Sequence, residues 1–284
     1  MLTSAGVKVV LKPFRFLPSY DIDIAYSYKF KGIRRTVGAL GKDLLSANSK
    51  AVLSRFKVLA GSQRDPYDCF DFLKSLHRSN NLRALYFMLL ARETGKFDKN
   101  NSPEHPAMHQ LTNFLSNDGA VGIHPSYFSN IVSVLHWEKK KLEGMLRKPV
   151  RQSRQHYIRM RLPDTYSALL AAGINEDYSM GFGSCLGFRA GTGRSFLWYD
   201  LENETITALR IHPFCFMDST ARFEEGLTVD EAFAKLYTML QLLAAHNSVL
   251  TTVFHNFSLG TDPEWEGWSE RYRDFVNYCG TITS

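Results

Sequence analysis

The feature that most constrains this chain is an alternation of short apolar runs with stretches carrying the 3.6-residue period of amphipathic helices. That is the pattern of βα units, and repeated βα units set their strands side by side in a parallel sheet or barrel with helices outside. Seven runs read as strands: Phe16 to Ile22, Leu82 to Leu90, Ala120 to Ile123, Val150 to His156, Ile174 to Tyr178, Ala208 to Phe216 and Leu250 to His255. Val7 to Leu11 reads as a further short strand ahead of the first βα unit, either closing the barrel or the remnant of something longer. The expectation is an α/β fold, a distorted (β/α) barrel of about seven parallel strands.

Helix starts support this reading. Thr228-Val229-Asp230-Glu231 is a capping box ahead of an apolar face at Phe233, Leu236, Leu240 and Leu243. Asp65-Pro66 reads as the start of a helix running through Phe70, Leu73 and Leu76. Residues 32–61 form a basic, moderately helical insertion between the first two strands. No repeat, low-complexity tract or Pro/Ser-rich linker divides the 284 residues, so one catalytic domain spanning 1–284 is expected.

With 44% hydrophobic residues and 20 Phe, the chain can bury a substantial core, which excludes bulk disorder. No apolar run approaches the roughly 20 residues of a membrane-spanning helix. No basic segment followed by an apolar stretch opens the sequence, and the expected location is the cytoplasm. Cys69, Cys185, Cys215 and Cys279 lack metal-ligand spacing and read as reduced thiols. The net charge of +6 favours polar or anionic partners, but without a recognition motif nucleic acid is not expected.

In a parallel barrel, functional groups collect at the C-terminal ends of the strands. Asp21 and Asp23 end the first run, and the period of two puts them on one face about 7 Å apart. His124 leaves the third run at a turn, Arg154 and His156 share a face of the fourth, and the later runs end in Asp177, His212 and His255. Carboxylates with imidazoles suit Zn or a similar divalent metal ion, and a remote histidine can serve as general acid.

Other residues have plainer readings. His105 and His109 stand four apart without a carboxylate in register, His212 precedes a proline and packs locally, and Lys139 to Lys141 form the wet face of a helix beginning near Ser129.

The motifs, in order, are Asp21-Ile22-Asp23, Gly122-Ile123-His124-Pro125-Ser126, Ser153-Arg154-Gln155-His156, Gly187-Phe188-Arg189-Ala190-Gly191, Phe254-His255-Asn256 and Glu264-Trp265-Glu266-Gly267-Trp268. This order resembles the polysaccharide deacetylases of the NodB-homology, carbohydrate esterase type, over roughly residues 15 to 270. The resemblance implies a TIM-like barrel and a metal-dependent hydrolase that removes N- or O-linked acetyl groups from a carbohydrate, in polysaccharide metabolism or surface-glycan assembly. It implies Asp21 as catalytic base, His255 as general acid and Arg154 as the group orienting the base. Asp23 and His124 are the implied metal ligands, Asp23 being displaced one place from the family pattern. The family's second metal histidine is replaced by Phe128, and His156 is the candidate substitute from a neighbouring strand. The metal is expected to be Zn, with Co or Ni as alternatives.

Asp177, Arg189, Trp265, Trp268 and Tyr157 are the candidate substrate contacts. Arg147, Lys148, Arg151, Arg159 and Arg161 would suit an acidic or phosphorylated glycan. The competing reading is a catalytically inactive relative that binds a glycan or a protein in the same cleft.

Overall fold

A computed structural model describes residues 13–45 and 49–283; the expected strand Val7 to Leu11 lies outside them. The centre of the fold is β1 (Arg15–Ile22), paired in parallel with β2 (Ala84–Met88) on one side and β9 (Val249–His255) on the other. The sheet continues past β2 through β3 (Gly119–Ile123), β4 (Gln152–Ser153), β5 (Glu176–Asp177) and β7 (Thr205–Ile211). Beyond β9 lies β8 (Phe216–Met217), and at the other edge β6 (Phe196–Asp200) runs antiparallel to β7. Eight strands are thus mutually parallel, curled as a distorted (β/α) barrel with β6 and β8 as its edges among the described residues.

Two strand expectations are corrected. The run Ala208 to Phe216 is two strands, because Pro213 has no N–H to continue a ladder, and the pieces β7 and β8 go to opposite ends of the sheet. β6 was not expected; it is largely exposed and lacks the alternation that a buried face imposes.

Eight helices are described: α1 (Ile33–Leu45), α2 (Ser49–Leu59), α3 (Phe70–Ser79), α4 (Pro106–Ser116), α5 (Val132–Leu146), α6 (Asp164–Ala171), α7 (Val229–Ala245) and α8 (Trp268–Thr283). α7 opens with the full capping box, Thr228 and Glu231 bonding reciprocally. The insertion at 32–61 is helical, as α1 and α2. α3 buries Phe70, Leu73 and Leu76 as expected but starts at Phe70. Asp65 does not cap it; its carboxylate instead accepts from the backbone N–H groups of Ser27, Tyr28, Lys29 and Tyr67, tying the loop after β1 to the start of this segment. His105 caps α4 through its side chain, which accounts for it without a metal.

Alternation along β1 gives its two faces different tasks. Tyr20 points toward the helices, where its hydroxyl meets His77 Nε2 at 2.7 Å and the Tyr272 hydroxyl at 2.6 Å, while His77 Nδ1 reaches Asp118 at 2.7 Å. This buried network joins α3 and α8 to the sheet. Ser19 and Asp21 point to the barrel interior. No helix among the described residues is long and apolar enough to cross a membrane.

Candidate metal centre

The interior cleft, about 430 Å³, opens at the C-terminal ends of β1, β3, β4 and β9. Asp21, Asp23, His124, His156, Tyr157 and His255 all line it, so six of the residues picked from sequence meet in one place. The parallel register explains the convergence, since Asp21 pairs with His255 of β9 and Phe87 of β2.

Arg154 is fully buried beneath the cleft. Its Nη1 donates to Asp21 at 2.9 Å, Nη2 to the Ser19 hydroxyl at 2.7 Å and Nε to the Tyr178 carbonyl at 3.0 Å. The guanidinium also lies 4.4 Å from the Phe87 ring centre. A buried cation is tolerated only when its donors are satisfied and a countercharge is close, and both conditions hold. Gly122 on β3 is needed here: a Cβ on it would come within 2.9 Å of the Phe87 ring and 2.8 Å of the Gln152 carbonyl.

Three ligand-type side chains, Asp23, His124 and His156, bring one donor atom each within 4.8 Å of one another. His124 Nδ1 donates to the Arg154 carbonyl at 2.6 Å, so the proton of its neutral form sits there and Nε2 keeps its lone pair. That Nε2 is 3.2 Å from Asp23 Oδ1, a buried oxygen with no hydrogen-bond donor. His156 Nδ1 is fixed by Asp98 at 2.9 Å, and its Nε2 faces Asp23 at 3.4 Å. Two imidazoles with their Nε2 atoms turned inward and one orphaned carboxylate oxygen fit a divalent cation and leave coordination positions open.

The electrostatics match. Burial raises the Asp23 carboxyl, but the imidazoles of His156, His124 and His255 outweigh it and hold Asp23 well below the ordinary range. Burial opposes charge on His156 too, yet Asp23 and Asp98 push it up to about 10. His255 is pushed up to about 9 against its burial, chiefly by Asp218, whose Oδ1 is 2.7 Å from Nδ1. A concentration of carboxylate charge around inward-facing imidazoles is the environment that a cation relieves.

Phe128 occupies none of this. It lies outside the cleft and exposed, and His156 stands on the third side of the cluster. Tyr157 reaches the cleft because it and Ile158 take left-handed backbone angles, φ 57° and 51°. The strain, about 1–2 kcal/mol per residue, is of the kind found at functional sites. It turns the Tyr157 ring beside His156, 4.4 Å between centres.

Four candidate substrate contacts lie outside the cleft lining. Trp268 is in the core against Phe254 and Phe233, and Trp265 is buried behind the cleft wall, propping Phe223 and Phe257. Asp177 is buried and accepts from Ser153 and Ser179, with burial raising its carboxyl; it braces β4 against β5. Arg189 donates to the Gly181 carbonyl and does not line the cleft.

Asp98 and Asp218 were not singled out from sequence. Asp218 follows Phe216-Met217 directly and would have been found as a strand-end carboxylate had β8 been recognised. Asp98 lies in the loop after β2, where nothing local distinguishes it from Asp118 or Glu93.

No protein-family model and no curated protein matches this chain by sequence. Solved structures do share its fold. A Mycobacterium smegmatis protein described as a polysaccharide deacetylase superposes with a TM-score of 0.57 over 96% of this chain and 86% of its own, at 12% identity. A Pseudomonas aeruginosa protein described likewise gives 0.58 over 93% and 84%, at 10% identity. An allantoinase gives 0.55 over 95% and 84%, at 9% identity. The chain therefore has the barrel fold of the polysaccharide deacetylases, and at such identities the likeness speaks for the fold alone.

Proposed function

We propose that the protein is a metal-dependent hydrolase that removes acetyl groups from a carbohydrate. The observation that carries this reading is the joint placement of an Asp–His–His cluster, an arginine-held carboxylate and a carboxylate-held histidine around one cleft. A purely structural cluster has no need of all three.

Asp23, His124 and His156 would hold the ion, with Zn as the expected metal and Co or Ni as alternatives. Such an ion supplies Lewis acidity toward an acetyl carbonyl and eases deprotonation of water. Asp21 takes the proton from the attacking water, aimed by the Arg154 and Ser19 pair beneath it. His255 holds a proton on Nε2 for the leaving nitrogen or oxygen, since its Nδ1–H is committed to Asp218. Tyr157, Phe257 and Phe223 offer faces on the cleft wall for a sugar ring. Asp98 and Asp218 are positioning residues.

The reading is tested by incubating Zn- or Co-loaded protein with N-acetylated chito-oligosaccharides and with O-acetylated sugars and measuring released acetate. Release that disappears in Asp21→Asn supports it. Stoichiometric metal without acetate release from either class would favour a glycan-binding relative instead.

A further inference from the structure

Charge and apolar exposure coincide in one part of the molecule that the cleft chemistry does not use. Residues 29–59 carry eight Lys and Arg against one Asp, a net +7, whereas the rest of the chain carries 26 against 27. The net +6 of the protein therefore resides in the α1–α2 excursion. The same hairpin exposes Ile33, Val37 and Leu45 on α1, and Leu53, Phe56 and Leu59 on α2; Leu45 is 92% exposed and Ile33 83%. On α2 the exposed Lys50, Leu53, Phe56 and Lys57 fall within an arc of about 120°. Six large apolar side chains on one basic hairpin exceed the scattered apolar residues of an ordinary surface.

We propose that the α1–α2 hairpin docks the protein on an anionic phospholipid surface. Apolar side chains interleaved with lysines suit that boundary, the former inserting below the head groups and the latter lying at phosphate level. A second copy would bring the hairpin's own +5, over residues 33–59, against another +5 across a twofold contact. A nucleic acid would match the cations and leave Leu53 and Phe56 in water. The hairpin is built as a firm unit: Arg55 of α2 pairs with Asp43 of α1 at 2.7 Å, and Arg35 donates to the carbonyls of Lys99 and Asn100 at 2.9 Å each. Lys99 lines the cleft, and α1 follows the end of β1 that carries Asp21 and Asp23. α1 thus lies beside a residue of the cleft wall, which suits a glycan carried on a lipid. That last consequence rests on the deacetylase reading; the docking does not.

The test is co-sedimentation with vesicles of phosphatidylcholine mixed with phosphatidylglycerol, compared with phosphatidylcholine alone. Wild-type protein is expected to bind the anionic vesicles at least about tenfold more tightly than the neutral ones, with high salt weakening the difference. Leu53→Ser with Phe56→Ser, and separately Lys50→Glu with Lys57→Glu, are each expected to weaken binding about tenfold or more while leaving metal content and circular dichroism unchanged. No sedimentation, or equal sedimentation with both compositions, overturns the proposal. So does a dimer in light scattering that Leu53→Ser with Phe56→Ser dissolves, or RNA binding lost only in the lysine variants.

Discussion

The Nδ1–H of His124 donates to the backbone carbonyl of Arg154 at 2.6 Å, while the guanidinium of that same Arg154 holds Asp21 at 2.9 Å. One residue therefore sets both the tautomer of a candidate metal ligand and the aim of the candidate base. Arg154→Lys keeps the charge and the carbonyl but loses the fork that reaches Asp21 and Ser19 together. The expected result is retained metal with kcat reduced roughly 10²-fold or more, read by acetate release and elemental analysis. Metal loss with unchanged kcat per bound ion would contradict this division of labour.

Asp21 and His124 should separate chemistry from binding. Asp21→Asn is expected to abolish turnover, by roughly 10²–10⁴-fold, with the metal still bound. His124→Ala is expected to lose the metal, because it removes an inward-facing lone pair and leaves Asp23 less compensated. Retained activity in both variants sinks the assignment.

Asp98 fixes His156 from behind, so its effect should appear in affinity before it appears in fold. Asp98→Asn is expected to weaken divalent-ion binding roughly 10–100-fold, measured by competition with a chelator, while far-ultraviolet circular dichroism stays as in wild type. Because Asp23 and Asp98 raise His156 to about 10, metal uptake at neutral pH must also displace a proton from it. Calorimetry in buffers of different ionisation enthalpy reads that release, and uptake without proton release would argue against His156 as a ligand.

His255 supplies a pH signature. As general acid it must be protonated, and Asp218 keeps it so up to about 9, so activity is expected to fall as pH rises through that value. Asp218→Asn removes the chief raising charge while burial remains, so the alkaline limb of kcat/KM should move toward neutral pH. An unmoved limb excludes His255 as the group that titrates there.

Glu138 on α5 tests the scaffold. It is fully buried, bonded by the Ser126 N–H at 3.0 Å, and burial lifts its carboxyl to about 7. Below about 4.5 the group is protonated in both states and costs nothing. Between about 4.5 and 7 the unfolded chain ionises first, so stability falls as pH rises, and above 7 the deficit is constant. Glu138→Gln keeps the acceptor and removes the deficit, so its advantage should grow across that window to on the order of 3 kcal/mol. Parallel denaturation curves at pH 5 and pH 8 measure it; an advantage independent of pH would show that Glu138 is not the cause.

Much of this protein is legible along the chain because its physics is local. The alternation of apolar runs with helical periods gave the parallel barrel, the Thr228–Glu231 box the start of α7, and the strand ends the residues Asp21, Asp23, His124, Arg154, His156 and His255. Strand ends are readable because a parallel sheet sends every C-terminal end to the same face. What the chain alone left open is what depends on which strands become neighbours. β7 and β8 look like one run, yet β7 pairs with β5 and β6 on one side of the sheet while β8 forms the far edge beside β9, which is what brings Asp218 beneath His255. Trp265 and Trp268 read as core or as a sugar platform and are core: Trp268 because α8 turns it against Phe254 of β9, and Trp265, ahead of α8, because it packs on Trp268, and the sequence does not say which face a tryptophan covers. Asp98 owes its role to His156, 58 residues away. Partners of that kind are chosen by packing across the barrel, and no local pattern encodes them.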